Sequence, residues 1–100
     1  MEKSSGKKNT AVLISGRGSN LKSLIRYSKT KKSLIRIVLV VSDNLSAKGL
    51  IYANKSKINN IVINYSNRKT FEGRLLKLLK RNNVDLICLA GFMKILSGKF

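Results

Sequence analysis

Residues Ala11 to Leu21 read AVLISGRGSNL: four apolar residues, a serine, two glycines flanking an arginine, and the start of a helical pattern. Ala11 to Ile14 is too short for a buried helix and has the apolar continuity of a strand covered on both faces. Beyond it, Gly16 and Gly18 allow a tight turn, and Leu21, Leu24 and Ile25 recur at helical spacing. Ser19 or Asn20 is placed to cap that helix. The stretch is thus a strand, a glycine turn and a helix, the opening unit of an α/β layer.

The same alternation continues along the chain. Ile35 to Val41 is expected to be a second strand, ending in Ser42-Asp43-Asn44, and Ser46 is placed to cap a helix in which Ala47, Leu50 and Ile51 share a face. Ile61 to Ile63 reads as a third strand. Phe71, Leu75, Leu78 and Leu79 fall at i, i+4, i+7 and i+8, a helix capped by Ser66 or Asn67 and closed at Asn82-Asn83. Leu86 to Ala90 is a continuous apolar run, as expected of a central parallel strand covered by helices on both faces. The order β-α-β-α-β-α-β predicts an α/β fold, a Rossmann-like parallel sheet with helices on both faces. Residues 1–10 read as a flexible leader and residues 11–100 as the domain. Ligands of such a sheet bind beyond the carboxyl ends of its strands. There the sequence puts Gly16 to Asn20, Ser42 to Asn44, and Gly91 to Leu96.

Composition removes whole classes of chemistry. The 100 residues contain no His and one Cys, Cys88. Histidine catalysis, an intrachain disulfide framework and a Cys/His zinc site are therefore excluded within them, and no metal is expected. Disulfide-free usage fits a reducing cytoplasm. Only four apolar residues follow the basic start, too few for a secretory core, and the longest apolar runs, Ile37 to Val41 and Leu86 to Ala90, are far below the roughly 18 residues of a membrane span. The net charge of +17 suits a polyanion partner. Lys, Asn and Ile are also encoded by A/T-rich codons, and the cations are scattered without interleaved aromatics, so base-stacking nucleic-acid recognition is not indicated.

Two motifs carry ligand chemistry. In GRGSN, Gly16 and Gly18 bring backbone close to an anion, while amides opening the next helix point outward with the positive end of its dipole; a phosphate is the natural guest. The competing dinucleotide fingerprint G-x-G-x-x-G needs a third glycine where this chain has Leu21, although Asp43, 25 residues beyond Gly18, occupies the place of a ribose-binding acid. In AGFMKIL, Ala90 to Leu96, the apolar side chains suit either a pocket for a flat ring or ordinary packing. Arg68, at the entry to the third helix, is placed either to meet a carboxylate or phosphate or, as a lone Arg there more often is, to be merely solvated. Cys88 reads as a buried, inert thiol, and Asp85 as the marker of a strand start.

Taken together, VLISGRGSNL (Val12 to Leu21), VVSDNLSAKGL (Val40 to Leu50) and LAGFMKIL (Leu89 to Leu96) resemble, in order and spacing, the N-terminal half of the phosphoribosylglycinamide formyltransferases, folate-dependent enzymes of de novo purine synthesis. The resemblance covers residues 11–100 and implies the formyltransferase fold. It also implies transfer of a formyl group from 10-formyltetrahydrofolate to 5-phosphoribosylglycinamide, with no metal. On that resemblance Gly18, Ser19 and Asn20 bind the substrate phosphate. Arg68 contacts the folate, and Met93, Lys94, Ile95 and Leu96 line its pterin pocket.

Departures accompany the matches. Arg17 stands where the family often has a small or polar residue. Lys94 replaces a usual Arg, keeping the charge and losing the bidentate fork. The family's catalytic Asn, His and Asp belong to its C-terminal half, so the sequence is expected to be a truncated N-terminal part, inactive alone and without a catalytic residue of its own. Two other functions compete: a nucleotide-binding Rossmann-like half-domain, and a basic polyanion-binding module. The partner is expected to be a small-molecule substrate, with no specific nucleic acid and no membrane; oligomeric state is not legible.

Overall fold

A computed structural model describes residues 7–16, 19–65 and 67–92. In chain order the elements are β1 (Lys8–Ile14), α1 (Ser19–Ser28), β2 (Ile35–Ser42), α2 (Gly49–Lys55), β3 (Asn60–Val62), α3 (Arg68–Arg81) and β4 (Leu86–Leu89). The four strands form one parallel sheet in the order β3-β2-β1-β4. Alternate side chains of the two central strands serve opposite faces. Val12, Ile14 and Val40 join Leu21 and Ile25 of α1 and Ala53 of α2 in one core. Ala11, Leu13, Leu39 and Val41 join Phe71, Leu75 and Leu79 of α3 in the other. The α/β class and the helices on both faces are as the alternation predicted.

A register shift makes this sorting work. Thr10 pairs with Ile37 but Ala11 pairs with Leu39, so Val38 is the extra residue of a bulge. Before it, Ile35 and Ile37 face the α1 side; after it, that side receives Val40. The bulge flips the phase of β2, and the unbroken run from Ile37 to Val41 can then fill both cores.

Both later helices end in the same device. After α3, Asn83 adopts φ +53°, its N–H donates to the Lys80 carbonyl at 3.2 Å, and Val84 N–H donates to Leu79 O at 3.0 Å. After α2, Lys57 has φ +58°, its N–H donates to Asn54 O at 3.1 Å, and Ile58 N–H donates to Ala53 O at 2.9 Å. These are Schellman closures, each followed by an apolar residue folded back onto the core.

Several boundaries differ from the sequence reading. β1 begins at Lys8, so residues 8–10 of the expected leader are in the sheet, Lys8 opposite Ile35 and Asn9 opposite Arg36. Asn9 N–H donates to Asp85 Oδ2 at 3.0 Å and Asp85 N–H returns a bond to Asn9 O at 2.7 Å; Asp85 does mark the start of β4. Ser46 does not cap α2. Its N–H is instead taken by Asn44 Oδ1 at 3.0 Å, the helix starts at Gly49, and its buried positions become Gly49 and Ala53 while Ile51 is exposed. α1 begins at Ser19, which puts Ser19 and Asn20 inside its first turn. Ser66 lies outside the described residues; Asn67 caps α3, its side-chain oxygen accepting from Thr70 N–H at 2.8 Å. Finally, β4 is an edge of the described sheet, with Leu86 42% and Leu89 58% exposed, and Cys88 only half-buried. The expected central, fully covered strand is therefore corrected for the residues described.

Candidate functional site

The path of the chain selects one edge of the sheet. β1, α1, β2, α2 and β3 step in one direction with both helices on the same face. α3 then crosses the opposite face and delivers β4 to the other side of β1. The direction reverses between β1 and β4, and at such a switch point the loops leaving adjacent strands diverge and open a crevice at the carboxyl ends. Gly16, beyond the end of β1, and Ala90 to Phe92, beyond the end of β4, leave the sheet at that switch point.

Hydrogen bonds tie the three strand-end segments together. Ala90 N–H donates to Leu13 O at 2.9 Å, extending the β1–β4 ladder one residue past β4. Ser42 Oγ donates to Asn44 O at 2.8 Å and accepts from Asn44 N–H at 3.0 Å, curling the loop after β2 onto itself. From that loop Asn44 Nδ2 reaches across to Ser15 O at 3.3 Å, directly before the glycine turn. Asn44 was not singled out as a site residue from sequence; the only local signal was its place in the polar Ser42-Asp43-Asn44 segment.

Of the expected phosphate-binding residues, Ser19 opens α1 and Asn20 is exposed in its first turn. The first N–H groups of a helix lack intrahelical acceptors and carry the positive end of its dipole, so this end of α1 offers donors at the crevice. Gly18 and Arg17 lie outside the described residues. Leu21, where the dinucleotide fingerprint has its third glycine, is wholly buried in the core beneath α1. The helix therefore packs through a large side chain at the place where that fingerprint requires close backbone approach.

On the α3 side an aromatic stack organises the other wall. Tyr65 and Phe71 have ring centroids 5.0 Å apart, and Phe71 stacks on Phe92 at 5.6 Å with 25° between planes. Gly91 turns the chain between Ala90 and Phe92 with φ +77°, a conformation that L side chains rarely adopt. Arg68 is exposed at the first position of α3, one helical turn before Phe71. Phe71, three residues on in the same helix, is the ring that meets Phe92 of the AGFMKIL segment. Met93, Lys94, Ile95 and Leu96 lie outside the described residues. Among the described residues, no group of three or more His, Cys, Asp and Glu is arranged to hold a metal ion, and no helix is long and apolar enough to cross a membrane.

A family model described as formyl transferase matches residues 8–100. The chain is 45% identical over 97 residues to the trifunctional purine biosynthetic protein adenosine-3 of Bos taurus, covering 94% of this chain and 10% of that protein. It is 38% identical over 96 residues to the phosphoribosylglycinamide formyltransferase of Haemophilus influenzae, covering 93% of this chain and 45% of the enzyme. Among solved structures, phosphoribosylglycinamide formyltransferase from Brucella melitensis superposes with a TM-score of 0.87 at 34% identity, over 93% of this chain and 50% of that one. The enzyme from Anaplasma phagocytophilum gives 0.80 at 41% identity, over 91% and 43%. The chain thus spans about half the length of the single-function relatives and a tenth of the trifunctional one. With the family model matched over nearly all of its residues and the strand order and switch point in place, the chain belongs to the formyl transferase family.

Proposed function

We propose that this chain supplies the substrate-phosphate side and part of the folate side of a phosphoribosylglycinamide formyltransferase, acting in the cytoplasm on a small-molecule substrate. The observation that carries this reading is the start of α1 at Ser19, at the carboxyl end of β1 beside the β1–β4 switch point. Backbone N–H groups there are aimed by the helix itself, so a phosphate is received by pre-positioned donors with little reorganisation. Gly18, Ser19 and Asn20 are assigned to that phosphate. Arg68, Met93, Lys94, Ile95 and Leu96 are assigned to 10-formyltetrahydrofolate, which as co-substrate brings the formyl group to be transferred. Arg68 opens α3, the helix whose Phe71 stacks on Phe92 of the AGFMKIL segment, and this connection supports the second assignment. No metal is invoked.

Within this scheme the described half positions and does not catalyse. Holding substrate amine and formyl donor side by side removes much of the entropic barrier. Proton handling falls to the family's Asn, His and Asp, which belong to the half this chain does not span. The test is steady-state kinetics on the full gene product. Asn20→Ala should raise KM for phosphoribosylglycinamide with little change in KM for the formyl donor, and Arg68→Ala should do the reverse. A uniform fall in kcat with both KM values unchanged would refute the assignment.

A further inference from the structure

The outer groove between α1 and α2 shares no residue with the strand-end crevice, and its chemistry is different. It encloses about 350 Å³, within the range of small-ligand pockets. Its floor is Ile25 and the ring of Tyr52; its walls carry Lys22, Arg26 and Lys29 from the α1 side and Lys55 from α2. Lys29 and Lys55 sit at helix C-termini, where the macrodipole attracts cations whatever else is nearby. Arg26 lies in the last turn of α1, where the same attraction acts, and Lys22, in the body of the helix, has no such account. They are four residues apart, and like charges at that spacing destabilise a helix. The described acids, Asp43, Glu72 and Asp85, are elsewhere: at the end of β2, in α3 on the opposite face, and before β4. Lys22 Nζ is also held 5.4 Å from the centroid of the Tyr52 ring, which fixes one cation at the mouth of the groove.

We infer that this groove is a second anion site that takes a compact oligophosphate, two or more linked phosphates, bridging Lys22 and Arg26 on one wall and Lys55 on the other. Four cations line the groove with no described acid among them, which favours an anion of matching charge, and Arg26 supplies the planar fork suited to phosphate oxygens. A second basic groove, about 270 Å³ between β3 and α3 and lined by Arg74, Lys77 and Arg81, lacks the aromatic floor and the ring-held lysine. It serves as the internal control for charge alone.

The experiment is titration calorimetry of the full gene product with inorganic tripolyphosphate, and separately with ATP, at physiological ionic strength. The expected result is saturable one-to-one binding of tripolyphosphate that weakens about tenfold in Lys22→Ala/Arg26→Ala and stays within about twofold of wild type in Arg74→Ala/Lys77→Ala, which removes the same charge. Lys55→Gln, at an exposed helix end and without effect on the core, should weaken binding as well. Equal affinity for ATP identifies the oligophosphate alone as the ligand, and tighter ATP binding adds a base over Tyr52. Equal losses in both double variants, or binding that does not saturate, would overturn the proposal in favour of diffuse charge. Because the probes are neither substrate nor formyl donor, failure here leaves the strand-end assignment untouched, and failure there leaves this one.

Discussion

Phe92 stacks on Phe71 with ring centroids 5.6 Å apart, so the segment leaving β4 is clamped to the first turns of α3 by a fully buried side chain. Phe71 also meets Tyr65, which follows β3. One ring therefore connects the ends of two strands that are at opposite edges of the sheet. Replacing Phe71 by Ala should cost about 3–5 kcal/mol, the range for emptying a large buried aromatic site. Phe71→Leu, which keeps most of the volume, should cost about 1–1.5 kcal/mol. Urea unfolding of both variants checks this. Equal losses would mean that volume does not set the effect.

The cap of α3 is a second, independent contribution. Asn67 Oδ1 accepts from Thr70 N–H at 2.8 Å, and the first turn of α3 contains no acid to offset the orphan donors. Asn67→Ala should lose about 1 kcal/mol. Asn67→Asp should retain the bond and match or exceed wild type, since a carboxylate at a helix N-terminus is favoured by the dipole. The midpoint of chemical denaturation reads both.

Lys57 offers a gain. Its φ of +58° is required by the Schellman closure of α2 and strains any residue with a Cβ. Lys57→Gly should stabilise the fold by up to about 1 kcal/mol, the relief of that strain less the added entropy of glycine in the unfolded chain. Asn83→Gly should gain less, because Asn tolerates the left-handed region better than Lys. If Lys57→Gly proves destabilising, the closure is not as described.

How much of this was legible beforehand follows from where each signal resides. The alternation of strands and helices was legible because buried parallel strands are runs of apolar residues, and Phe71, Leu75 and Leu79 mark α3 by spacing alone. The start of β1 was not. Lys8, Asn9 and Thr10 look like leader, and what holds them is backbone pairing with β2 and the two bonds between Asn9 and Asp85. The beginning of α2 differs from the sequence expectation at one place: Asn44 captures Ser46 N–H in a turn, the helix starts at Gly49, and Ile51 is exposed. At the site, the glycine turn announces itself by composition. The bridge from Asn44 to Ser15 spans 29 positions and has no sequence signature.

That bridge makes the last prediction. Ser15 immediately precedes the glycine turn, and Asn44 is itself fixed by Ser42 and by Ser46 N–H, so the loop after β2 buttresses the loop that the proposed function assigns to phosphate. Asn44 is a positioning residue, acting through the Ser15 carbonyl. Removing it should leave the fold nearly intact, because the residue is exposed and its bonds contribute about 0.5–1.5 kcal/mol each. The expected effect of Asn44→Ala in the full gene product is a rise in KM for phosphoribosylglycinamide of about 3- to 10-fold, with kcat and KM for the formyl donor little changed. Asn44→Asp retains the oxygen that accepts from Ser46 but loses the donor to Ser15, so it should behave like the alanine variant in KM. If Asn44→Asp is instead indistinguishable from wild type, the bond to Ser15 does not hold the phosphate loop.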